Sequence, residues 1–129
     1  MFSRNFLIGI GILFIVIIGF AFGARTETWV DTNADGCPDL WRWYRADRTL
    51  ERTEIDANAD GNVDVWHWYR TDGKTIESTW VDANADGKVD VWHWYRTDGK
   101  TVERTEVDTN ADEKVDIWHW YRTDEKTEK

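Results

Sequence analysis

Two hydrophobic patterns divide the chain. From Phe6 to Ala24 the residues are apolar without a break, FLIGIGILFIVIIGFAFGA. A run with no polar face is not a globular surface helix. It predicts a hydrophobic helix about long enough to span a bilayer. Beyond Arg25, short segments of β-branched and aromatic residues alternate with turn residues. Val63 to Arg70 predicts a strand, and Thr75 to Val81 and Thr101 to Val107 predict return strands. Asp72-Gly73 and Asp98-Gly99 read as two-residue type I′ turns, in which both central residues take positive φ.

The pattern recurs. Units open at Asp31, Asp56, Asp82 and Asp108, at spacings of 25, 26 and 26 residues, a period that marks a repeat architecture. Each unit runs from an acidic loop through DVWHWYR or a variant, then TDGKT or a variant, to a polar strand such as VERTEV. The first unit is one residue shorter at its turn, and the fourth stops after TDEKTEK, without room for a full second strand. The expectation is an all-β fold: about four tandem β-hairpin units in an antiparallel meander, acidic loops between hairpins, and an N-terminal hydrophobic helix in front. The domains are then 1–24 and 25–129.

Register counted outward from Asp72-Gly73 pairs Arg70 with Thr75, Tyr69 with Ile76, Trp68 with Glu77 and Trp66 with Thr79. One face would carry Val65, His67, Tyr69, Ile76 and Trp80, the other Trp66, Trp68, Arg70, Glu77 and Val81. Neither set is cleanly polar, so the sheet is expected to be partly buried on both sides or strongly coiled.

Composition narrows the function. With 129 residues the chain is one domain or a short repeat array. A net charge of −9 argues against a nucleic-acid partner, because phosphate binding needs clustered Lys and Arg. The single cysteine, Cys37, cannot form an internal disulfide. A small exported domain without disulfides makes a metal the natural staple. Ala21-Phe22-Gly23 offers small residues at the −3 and −1 positions of a signal cleavage site. A cleaved signal peptide and an uncleaved membrane anchor both place 25–129 outside the cytoplasm, as a membrane-anchored, periplasmic or secreted domain.

The candidate chemistry lies in the acidic loops, each D-x-N-x-D-G-x-x-D with Glu for Gly in the fourth. The candidate ligand sets are Asp31, Asn33, Asp35 and Asp39; Asp56, Asn58, Asp60 and Asp64; Asp82, Asn84, Asp86 and Asp90; and Asp108, Asn110, Asp112 and Asp116. Oxygens at positions one, three and five of a tight loop converge, the position-seven carbonyl joins them, and Gly at six permits the sharp turn. Hard oxygen donors favour Ca²⁺ over zinc. The loops resemble the helix-free EF-hand-type calcium loops of thrombospondin type 3 repeats and integrin propellers. Position twelve departs from a true EF-hand: Arg42, His67, His93 and His119 stand where a bidentate Glu closes the site. The resemblance implies that the position-nine Asp supplies the closing carboxylate. The bland alternative is that Asp and Asn merely form turns with their own backbone. Glu113 and Glu125 replace loop and turn glycines in the last unit, so the fourth site is expected to be the weakest.

The aromatic strand WHWYRTDGKT resembles the hairpins of choline- and glucan-binding cell-wall repeats and of MORN-like repeats. That resemblance implies stacking on a sugar or caging of a quaternary ammonium; rings that simply cover a thin sheet are the plainer account. His67, His93 and His119 do not suit one metal, because equivalent strands lie about 9.6 Å apart. An enzyme is not expected, since nearly every carboxylate sits at a repeated position and catalysis needs one asymmetric site. The expected role is structural or adhesive at the cell envelope, with calcium ions and an envelope glycan or protein as partners. The alternative is a carbohydrate- or choline-binding module using the Trp/Tyr face.

Overall fold

The structure is a computed structural model and describes residues 16–18 and 26–123. Strands β1 (Val16–Ile18), β2 (Thr26–Val30), β3 (Leu40–Tyr44), β4 (Leu50–Ile55), β5 (Val65–Tyr69), β6 (Ile76–Val81), β7 (Val91–Tyr95), β8 (Val102–Val107) and β9 (Ile117–Trp120) follow one another. Each is hydrogen-bonded, antiparallel, to its sequence neighbours. From β2 to β9 this is the expected all-β meander, with no helix among the described residues. The expected N-terminal helix, and segment 1–24 as signal or anchor, lie outside the described residues apart from Val16–Ile18, which pair along β2. Strand β2 escaped the sequence reading, although TETWV lines up with the strand ending STWV two units on.

The hairpin turns differ from expectation. The Arg70 N–H donates to Thr75 O at 2.8 Å, as counted, but the Gly73 N–H donates to Arg70 O at 2.9 Å. Gly73 has φ of 66°, whereas Asp72 is not among the residues of positive φ. The loop is therefore a four-residue connection, Thr71 to Lys74, built on a type I turn with glycine in the left-handed position. The Asp72 carboxylate explains the choice: it accepts from the Lys74 and Thr75 N–H groups, both at 2.8 Å, and from the Thr75 hydroxyl. In the first hairpin the loop is a residue shorter and Arg48, with φ of 70°, takes the glycine's place.

A second correction follows from a β-bulge. Register shifts between Trp68 and Tyr69, so that Trp68 pairs with Ser78, His67 with Thr79, Trp66 with Trp80 and Val65 with Val81. The extra residue is Glu77, and Glu51 and Glu103 are its counterparts in β4 and β8. The bulge has a physical reason. Ile76 and Val81 are five positions apart, an odd number, and an unbroken strand would send them to opposite faces. One extra residue returns both to the same face. Trp80 and Val81 therefore exchange the faces assigned by counting.

The two faces are then orderly. On one, Val30, Leu40, Ile55, Val65, Val81, Val91, Val107 and Ile117 form an aliphatic row. Beside it runs a row alternating Thr with Arg42 or His, in which the His67 and His93 rings each meet the hydroxyl of their cross-strand threonine, Thr79 or Thr105, at 2.9 Å. The other face carries the tryptophans. Among the described residues this sheet is a single layer: most strand positions on both faces are half-buried, and Val30 is the one fully buried hydrophobic residue. Neighbouring side chains along each row, not a second layer, cover the backbone. Cross-strand pairs of this kind contribute about 0.2–1 kcal/mol each.

Candidate metal-binding loops

All four acidic loops fall at one end of the sheet. The meander places position one and position nine of successive loops opposite one another. Asp39 N–H donates to Val30 O at 3.0 Å, Asp56 N–H to Asp39 O at 2.9 Å, Asp64 N–H to Ile55 O at 2.9 Å and Asp82 N–H to Asp64 O at 2.8 Å. The ladder continues through Asp90, Asp108 and Asp116. Asp31, Asp39, Asp56, Asp64, Asp82, Asp90, Asp108 and Asp116 thus form one row, about 4.8 Å from strand to strand.

Within a loop the carboxylates wrap the backbone. In the third, Asp82 accepts from the Gly87 N–H at 2.7 Å and Asn84 Oδ1 from the Asp86 N–H at 2.9 Å. Asp86 Oδ1 accepts from the Lys88 N–H at 2.9 Å, and Asp90 Oδ2 from the Ala83 and Asn84 N–H groups at 2.9 and 3.2 Å. The first and second loops repeat this scheme. Gly36, Gly61 and Gly87 take φ near 90°, and Ala34, Ala59, Ala85 and Ala111 take φ near 60°. The glycines serve conformation and not space, since nothing within 4 Å would meet a Cβ there. That explains how Glu113 enters the same position in the fourth loop with φ of 69°. It meets Lys88 Nζ at 3.2 Å but carries the strain of a side chain in the left-handed region.

Among the described residues, no three His, Cys, Asp or Glu side chains gather as a metal-holding group. Burial is nonetheless unusual. Asp31, Asp39, Asp56, Asp64, Asp82, Asp90 and Asp108 are only 2–8% exposed. No Lys or Arg forms an ion pair with any of them among the described residues. Hydrogen bonds from Thr32 hold the Asp39 carboxyl below its ordinary range, and those from Thr109 do the same for Asp116. The fourth loop is looser: Asp116 is exposed, and the Asn110 N–H turns to Asp108 at 3.1 Å instead of to the closing carboxylate.

At the opposite end of the sheet, arginines bridge the hairpins. Arg45 reaches over β4 to donate to Leu50 O at 2.9 Å, Arg70 O at 3.0 Å and Tyr69 O at 2.6 Å. Arg70 reaches Tyr95 O at 3.1 Å and Arg96 reaches Tyr121 O at 2.7 Å. Each guanidinium ties its own hairpin to the next. Gly73 and Gly99 let the turns approach, because a Cβ there would lie 2.7 Å from Leu50 N and 2.6 Å from Thr75 Cγ2.

No protein-family model matches the chain, and no curated protein does. A solved structure of accessory secretory protein 1, 2 and 3 in Streptococcus pneumoniae resembles it with a TM-score of 0.53 at 14% identity. The likeness covers 74% of this chain and 17% of that one, and concerns the fold alone.

Proposed function

We propose that residues 25–129 form an exported repeat module with a structural or adhesive role at the cell envelope, stiffened by Ca²⁺ in its acidic loops. The carrying observation is the row of buried aspartates that, among the described residues, form no ion pair with Lys or Arg. Buried charges are normally paired or coordinate a metal, and like charges directly opposite on neighbouring strands destabilise a sheet. The donor set is all hard oxygen, as Ca²⁺ requires. Among the described residues, the hydrogen bonds to the Asp35, Asp60, Asp86 and Asp112 carboxylates all reach Oδ1, which leaves Oδ2 for an ion. Four Ca²⁺, with eight positive charges, would take the chain from −9 to −1. The apolar segment 6–24 supports export.

Extracellular modules bind Ca²⁺ at about 10⁻⁴ to 10⁻³ M. At about ten times Kd each site adds about 1.4 kcal/mol, so three good sites add about 4 kcal/mol. For a domain near this size each kcal/mol moves Tm by about 4–8 °C. Adding EDTA to a calcium-loaded sample is expected to lower the circular-dichroism midpoint by about 15 °C or more. A midpoint that does not move removes calcium from the proposal.

A further inference from the structure

On the tryptophan face one cross-strand row reads Trp43, Arg52, Trp68, Ser78, Trp94, Arg104, Trp120 from β3 to β9. Where arginine is present, its guanidinium lies between the rings of both neighbouring strands. Arg52 Cζ is 4.5 Å from the Trp43 ring centroid and 5.4 Å from that of Trp68. Arg104 repeats this at 4.5 Å from Trp94 and 5.4 Å from Trp120. These distances fill the two-strand separation of about 9.6 Å. Each arginine also donates its Nε–H to a carboxylate on the same strand, Glu54 at 2.7 Å or Glu106 at 2.8 Å.

Between Trp68 and Trp94 the pattern breaks. Strand β6 carries Ser78 in place of the arginine and Trp80 in place of the glutamate. An open cleft of about 240 Å³ remains, lined by Trp68, Glu77, Ser78, Trp80 and Trp94. Trp80 packs against Trp68 with centroids 5.2 Å apart and adds a third ring. Glu77 lies on this face, where its half-exposed carboxylate is 3.8 Å from the Arg70 guanidinium. Trp68, Trp80 and Trp94 bury indole N–H groups without a partner among the described residues. So does Trp43, beside a slot that an arginine fills, so these donors do not select the ligand.

We propose that the cleft between Trp68 and Trp94 is a binding site for a guanidinium group supplied from outside the chain. The flanking hairpins show what this spacing of indoles holds. Guanidinium is planar, weakly hydrated and stacks on aromatic faces better than an ammonium does. Glu77 and the overall charge of −9 provide the complementary sign. The shared chemistry is that of an arginine side chain on a partner polypeptide or of a free guanidino compound. The lining of the cleft includes none of the acidic-loop residues.

The test titrates the full chain, in calcium, with N-acetyl-arginine methylamide, its uncharged citrulline isostere, the lysine equivalent, choline and methyl glucoside. Tryptophan fluorescence and the indole N–H signals report binding. A saturable response to the arginine probe is expected, at least tenfold weaker for each of the other four. Ser78→Arg with Trp80→Glu rebuilds the sequence of the flanking hairpins, so it is expected to fold, to fill the slot internally and to abolish the response. Glu77→Gln is expected to weaken binding several-fold and keeps the question decidable if the double variant does not fold. No saturable response, a response to any of the other four probes as strong as that to arginine, or an arginine response that survives the double variant overturns the proposal. A tighter response to an arginine-bearing peptide than to the small probe assigns the source to a polypeptide; an equal one assigns it to a free guanidino compound.

Discussion

The two ends of the sheet solve opposite problems. At the turn end, backbone carbonyls are met by Arg45, Arg70 and Arg96, each reaching about one unit along the chain. At the loop end, seven buried aspartates line up, met among the described residues by N–H and hydroxyl donors. The same repeat therefore closes itself at one end and leaves concentrated negative charge at the other. The buried ladder positions of the loops carry carboxylates alone, and a cation would meet that charge.

This contrast can be broken from either end. Arg45→Met should have the largest single effect, since it removes charge-assisted bonds to three carbonyls; a loss of about 1.5–3 kcal/mol, equal with and without calcium, is expected in urea melts. Asp90→Asn should behave in the opposite way. In calcium it should cost about 1.4 kcal/mol, one site's share; in EDTA it should leave stability unchanged or raise it, because a like charge is removed from the row. A loss of the same size in both conditions would mean that the aspartates serve only as turn formers. Glu113→Gly should stabilise by about 0.5–1 kcal/mol through relief of the left-handed side chain, and should tighten the fourth loop's calcium affinity towards that of the others in a titration.

The smallest effect concerns pH. Burial pushes the His67 and His93 imidazoles below their ordinary value of 6.5. The unfolded chain then binds protons that the folded one refuses. Their contribution is complete above about pH 6.5 and is lost as pH falls through the folded values. The midpoint should decline between pH 7.5 and 5, and replacing both with Gln should flatten that slope. The exposed turn carboxylates Asp72 and Asp98, held near pKa 2 by Thr75 and Thr101, titrate well below this window, and their contribution is lost as pH falls from about 3.8 towards 2.

Much of this was legible because it is local. Val65–Tyr69, Ile76–Val81, the Asp-Gly turns and the four acidic loops sit where residue chemistry placed them. The bulge was legible too, but only in the odd spacing of Ile76 and Val81, which counting outward from the turn ignored. The type I geometry at Thr71–Gly73 was missed because Asp-Gly suits more than one turn, and the Asp72 bonds to Thr75 decide between them. Positive φ at Ala34, Ala59, Ala85 and Ala111 had no sequence signal, since alanine has no preference for that region.

The sequence by itself determined a repeating all-β chain, the bounds of β5, β6 and β8 to within a residue or two, and which loops carry oxygen donors. These follow from propensities and turn chemistry over a few residues. Only the tertiary structure decided that Trp80 shares a face with Trp66, that the aspartates form one buried row, that each arginine reaches the next hairpin, and that the space between Trp68 and Trp94 lacks the guanidinium its neighbours hold. Those are contacts across strands, and they depend on a register that one extra residue resets.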